Sequence, residues 1–141
     1  MVPVNYMAIF AAAILSMVLG YLWYGPLFGK EWMKLMGVSK EKMEKGMKDG
    51  DMMKLYGLQF VGSLLMAFVL AHALEFASTY LEVEGISAGF QTGFWNWAGF
   101  IAPITLGTVL WEGKPWKLWF MNNSYYLVTL LSMGVLLALW V

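Results

Sequence analysis

The chain has no cysteine and a single histidine, and every one of its nine basic residues is a lysine. Without a thiol there is no disulfide, no cysteine-based zinc site and no thiolate nucleophile. Without arginine there is no planar fork to hold a phosphate or carboxylate through two parallel hydrogen bonds. Charge of either sign is scarce: it falls on 13% of the 141 residues, against roughly a quarter in a soluble domain. Also absent are a glycine-rich phosphate loop, a serine nucleophile elbow, paired histidines at helical spacing and a calcium-loop pattern. No basic groove interleaved with aromatics offers itself to nucleic acid. These absences argue against a soluble enzyme, a disulfide scaffold and a disordered tail. What the chain has instead is apolar bulk, 60% hydrophobic and 17% aromatic.

That bulk is arranged in runs. Residues 1–29, 85–111 and 118–141 contain no ionisable acid, lysine or histidine, and 55–71 is equally free of charge until His72 and Glu75. A helix of about 20 apolar residues crosses about 30 Å of hydrocarbon. The runs therefore predict four transmembrane helices, over about 5–25, 54–77, 87–110 and 118–139. The fold class is all-α, a single polytopic membrane domain over 1–141 with a helical loop over about 26–53. The first run is not read as a cleaved signal peptide, because no lysine precedes it and no polar domain follows.

The lysines orient the bundle. Lys30, Lys34, Lys40, Lys42, Lys45, Lys48 and Lys54 fall between spans 1 and 2, and Lys114 and Lys117 between spans 3 and 4. The positive-inside rule places both loops in the cytoplasm and both chain ends outside, in an inner or plasma membrane. Only Glu75, Glu82 and Glu84 charge the outer side. So lopsided a distribution also argues against an antiparallel dual-topology dimer. Trp23, Tyr24, Trp32, Trp111, Trp116 and Trp119 cluster at the inner interface, while Tyr80 and Trp140 mark the outer one. Trp95 and Trp97 fall too deep for such a belt and are expected to pack against neighbouring helices.

Local signals divide the long loop. Gly25-Pro26 is expected to end the first helix. Residues 27–36 set Phe28, Trp32 and Leu35 against Lys30, Glu31 and Lys34, the pattern of a short amphipathic helix in the membrane surface. Ser39 caps a second amphipathic helix over about 40–49, supported by the Glu41/Lys45 and Glu44/Lys48 pairs and stopped by Gly50. Its charges make a solvated face or a docking surface for anionic lipid headgroups or a protein. Within the spans, Ala8, Ala12, Ser16 and Gly20 form a helix-packing seam at four-residue spacing. Gly89 with Gly93, Gly99 with Gly107, and Gly134 with Ala138 add further small-residue contacts, and Pro103 is expected to kink span 3. Such seams serve packing within the bundle or between copies, and their surplus suggests a parallel homo-oligomer.

Two polar sets are candidate sites. His72 and Glu75 share a helix face near the outer end, and Gln91 and Asn96 enter span 3 at comparable depth. Three readings of this intramembrane set stay open: a hydrogen-bonded helix contact, a proton or ion entry site, and an incomplete metal site with only two ligands. On the cytoplasmic side Tyr24, Lys30, Glu112, Asn122, Asn123 and Tyr126 form either a polar clamp or a small vestibule. The Asn122 and Asn123 amides are expected to meet the carbonyls freed at Gly25-Pro26.

The stretch from Trp23 to Trp32, continued by Lys34-Leu35-Met36-Gly37, resembles the opening signature of domain-of-unknown-function family 1761, small prokaryotic membrane proteins. Trp111-Glu112-Gly113-Lys114-Pro115, on through Leu118 to Asn122 and Tyr126, is similar to the second signature of that family. The resemblance covers essentially the whole chain and implies four spans, with a histidine expected where Tyr126 stands. It brings no reaction, substrate or cofactor. The expected function is therefore that of a non-enzymatic structural or interaction protein, without metal or cofactor, which self-associates through its seams. The alternative is a small conduit for protons, cations or an uncharged solute that uses His72 and Glu75.

Overall fold

A computed structural model describes residues 2–37, 41 and 51–140, and every described element is helical. Helix α1 spans Tyr6–Leu22 and is prolonged by a π turn over Trp23–Leu27; α2 spans Gly29–Met36 and α3 Asp51–Leu81. Helix α4 spans Gly85–Asn96, followed by a second π turn at Trp97–Ile101 and two single turns, α5 (Ala102–Thr105) and α6 (Gly107–Leu110). Helix α7 spans Trp116–Leu139. The second loop helix, expected over about 40–49, lies outside the described residues except for Glu41.

Among the described residues, three helices are long and apolar enough to cross a membrane: Tyr6–Leu27, Met53–Leu81 and Trp116–Leu139. The protein is thus membrane-embedded, and at ~1.5 Å per residue the 31 residues of α3 extend ~46 Å, longer than the ~30 Å of hydrocarbon. The expected third span over 87–110 is not one helix. It divides after Asn96, because Pro103 has no N–H to offer the Gly99 carbonyl and its ring crowds that carbonyl. The chain responds by widening the preceding turn, so that the Ala102 N–H reaches back to the Trp97 carbonyl.

The same physics corrects the expected end of α1. Gly25-Pro26 does not stop the helix. It widens it into a π turn closed by the Phe28 N–H on the Trp23 carbonyl at 2.9 Å, and the rod runs on to Leu27. At the opposite end, the Asn5 side chain accepts from the Met7 and Ala8 N–H groups (3.0 and 3.2 Å) and starts α1 cleanly. Glu82 and Gly85, both with φ near +60°, turn α3 into α4.

Helix α7 is the axis of the assembly. It runs along α4 in the closest contact of the bundle and also touches α1 and α3, while α3 packs against both α1 and α4. The core is short-chained: Ala8, Ala12, Ala67, Ala71 and Ala88 meet Leu70, Leu74, Leu130, Met133 and Leu137. Small residues let the backbones approach closely, which is how helices gain packing where lipid removes the hydrophobic incentive. The seam of Ala8, Ala12 and Ser16 is buried inside this bundle, and Gly20 abuts the Tyr125 hydroxyl. Gly89 meets Gly134 backbone to backbone, and Gly93 meets the Leu130 carbonyl. The seam of Ala8, Ala12, Ser16 and Gly20 and that of Gly89 with Gly93 are therefore occupied within one chain, whereas Gly99 has nothing within 4 Å and Gly107 meets the Trp111 ring of its own segment.

Candidate functional site

Two polar regions lie at opposite ends of the bundle, and the structure treats them differently. At the end away from the lysines, His72, Gln91 and Asn96 each bond within their own helix. His72 Nδ1 donates to the Phe68 carbonyl at 2.8 Å, Gln91 Nε2 to Ser87 Oγ at 3.0 Å, and Asn96 Nδ2 to the Thr92 carbonyl at 2.8 Å. In apolar surroundings a carbonyl one turn back is the nearest acceptor, and it satisfies such a side chain without help from a neighbouring helix. Among the described residues no hydrogen bond joins any two of His72, Glu75, Gln91 and Asn96. Glu75 borders open space, where two cavities of about 310 and 620 Å³ share Leu74, Glu75 and Leu137.

At the lysine end the polar groups do converge, on α7. Tyr24 donates its hydroxyl proton to Asn122 Oδ1 at 2.7 Å. The Trp23 indole N–H donates to the Met121 carbonyl, and the Trp97 indole N–H to the Asn123 carbonyl, both at 3.1 Å. Asn123, 2% exposed, accepts from the Thr105 hydroxyl at 3.1 Å and donates to the Trp119 carbonyl at 3.1 Å. The Tyr125 hydroxyl donates to the Ser16 carbonyl at 3.1 Å. Aromatic rings pack edge to face among these bonds: Tyr24 against Trp32 and Tyr125, with Tyr125 also beside Tyr126. Below them Lys117 bridges to Glu31 and ties α2 to α7. The Lys117 ammonium, as hydrogen-bond donor and as nearby charge, holds the Glu31 carboxyl below the usual carboxylate range.

The expected clamp is thus assembled in part. Tyr24, Asn122, Asn123 and Tyr126 belong to it, whereas Lys30 and Glu112 are exposed. The Asn122 oxygen takes the Tyr24 hydroxyl; the carbonyls freed by Pro26 are managed by the π turn itself. Trp97 packs inward as expected, but Trp95 is 66% exposed and faces away from the bundle. Thr105 was not singled out from the sequence, and Trp23 and Trp97 were placed at the inner interface and against a neighbouring helix, not as hydrogen-bond donors to α7. A signal existed for Thr105, which lies about as far from the end of its segment as Asn123 lies from the start of α7.

This geometry describes a helical membrane protein locked at one end by amide and aromatic side chains. Trp23, Tyr24, Met121, Asn122 and Asn123 come from the two stretches that carried the sequence resemblance, whereas Trp97 and Thr105 lie between them. A family model matches residues 7–138, nearly the whole chain, and the chain belongs to that family, described as protein of unknown function (DUF1761). No curated protein and no solved structure matches the chain.

Proposed function

We propose that the chain is a non-enzymatic scaffold of the inner or plasma membrane, crossing four times with both ends outside and its lysine end in the cytoplasm. The observation that carries this reading is the lock on α7. Tyr24, Trp23, Trp97 and Glu31 all spend their polar groups on α7, which leaves a rigid end rather than a substrate vestibule. On that end Lys30 and Lys34 stand exposed on α2, ahead of the lysine-rich loop. Each such ammonium near an anionic surface contributes about 1 kcal/mol of attraction. The lysine distribution supports the orientation, and the 26 residues of Gly85–Leu110 are long enough to return across the bilayer despite their breaks.

Assembly into parallel copies belongs to the same proposal. With the seams of α1 and of the α4–α7 contact occupied, copies meet through outward apolar side chains such as Leu58, Leu65 and Phe76 of α3. The conduit reading has less support, because the space below Glu75 is filled by Ala8, Ala12, Ala67, Leu70 and Met133, none more than 5% exposed. Native mass spectrometry from micelles mixing phosphatidylglycerol with phosphatidylcholine tests the scaffold. The expected spectrum shows more than one copy with retained phosphatidylglycerol, and less of it after Lys30→Gln with Lys34→Gln. A monomer that carries both lipids equally would overturn the reading.

A further inference from the structure

The end opposite the lock is open, and its opening has a definite chemistry. Between the ends of α1, α3 and α7 lies a cavity of about 310 Å³, bordered by Ala8, Leu74, Glu75, Leu137 and Trp140. A second, of about 620 Å³, continues from it toward the turn between α3 and α4, where Thr79 and Glu84 join the wall. Both volumes fall in the range that holds a small organic ligand. The smaller cavity is mostly apolar, the larger mixes Leu74, Leu137 and Leu139 with Ser78, Thr79 and Glu84, and Glu75 borders both. Among the described residues it makes no hydrogen bond and no ion pair.

No lysine side chain of the described residues can serve it. Lys54 lies 21 positions back along α3, ~31 Å away by helical rise, and Lys30, Lys34, Lys114 and Lys117 share that far end. The acidic groups at this end are Glu75, Glu82 and Glu84. A half-buried carboxylate beside aliphatic side chains, with no basic partner among the described residues, favours a cation in this recess, and the Trp140 indole on the border of the smaller cavity is a group that also attracts cations. A phosphate in the same recess would be repelled by Glu75 and Glu84, which disfavours zwitterionic and anionic lipid headgroups.

We propose that this recess binds an apolar organic ammonium, its cationic head on Glu75 and its hydrocarbon between Leu74 and Leu137. The site does not depend on the scaffold reading of the lysine end, and the two can fail separately.

The test uses the full chain in phosphatidylcholine nanodiscs, with protein-free nanodiscs as the baseline. Phenylbutyltrimethylammonium and its neutral isostere, carrying a tert-butyl group in place of the trimethylammonium, are compared by equilibrium dialysis. The expected result is retention of the cation at least about tenfold above the isostere, the ratio that a charge-assisted contact supplies. Glu75→Gln keeps the size of the side chain and should bring the ratio close to one. Ser78→Leu, which fills part of the larger cavity, should weaken both compounds together. A thermal melt matching wild type establishes that each variant is folded. Equal retention of cation and isostere by wild type, or an unchanged ratio in folded Glu75→Gln, would overturn the proposal. Loss in Glu84→Gln alone would move the site to the rim and also overturn it. So would displacement of the probe when phosphatidylethanolamine replaces part of the nanodisc lipid.

Discussion

Gly89 and Gly134 face one another with no side chain between them, and a methyl group at Gly89 would overlap the Gly134 carbonyl. Backbone cannot swing aside as a flexible side chain can, so α4 and α7 must separate to admit it. Gly89→Ala is expected to cost about 1–3 kcal/mol, the usual penalty of overfilling a packed contact. Gly57→Ala, where nothing lies within 4 Å, should be neutral or stabilising by up to about 1 kcal/mol, since alanine suits a helix better. Denaturation in detergent reads both, and a similar loss in each would show that the α4–α7 contact is looser than described. The seams were legible at this scale, because four-residue spacing of Ala8, Ala12, Ser16 and Gly20 is visible in a linear string. Their recipient was not, since spacing on one helix does not say which neighbour, or which copy, comes close. His72 and Glu75 stood out for a related reason: a sequence displays ionisable groups but hides the carbonyl one turn behind that satisfies a histidine.

Among the elements, the two π turns share one design. Each begins at a tryptophan, Trp23 or Trp97, and in each the turn is closed on the tryptophan carbonyl close to a proline. Both prolines were legible as disturbances. The form of each disturbance was not, because whether a helix breaks, kinks or widens depends on what the surrounding helices hold in place. Helix α2 is fixed to α7 partly by Glu31 and Lys117, and this bond carries a pH signature. The Glu31 carboxyl is held below its ordinary range when folded, so its contribution is present above the ordinary carboxylate range. It is lost as pH falls through the lowered value of the folded state. Thermal melts of wild type and Glu31→Gln should therefore differ near neutral pH and converge on acidification, with the gap also shrinking in high salt. A gap that widens in acid would contradict the assignment.

The whole molecule was legible chiefly as a charge map. The long uncharged runs mark out three rods that the structure contains, whereas the segment 85–110 shows how an uncharged run can lack a continuous helix. Its glycines and Pro103 were visible, but a transfer argument counts apolar residues and does not register where the backbone divides. The absence of cysteine makes the fourth crossing directly testable. Single-cysteine variants Glu82→Cys and Glu112→Cys flank the divided segment, and in intact cells an impermeant maleimide should label the first and spare the second. Equal labelling would place both turns on one side of the membrane and remove the fourth crossing.

The anchoring of Trp23 and Trp97 on carbonyls two residues apart has a mechanical meaning. Successive positions on a helix point ~100° apart, so Met121 and Asn123 lie on nearly opposite sides of α7. Gripped from both flanks, α7 has one rotational setting at that level, while around Leu137 its other end borders empty volume. On the side of α4 the Gly89–Gly134 contact still holds that end, so the slack lies toward α1 and α3.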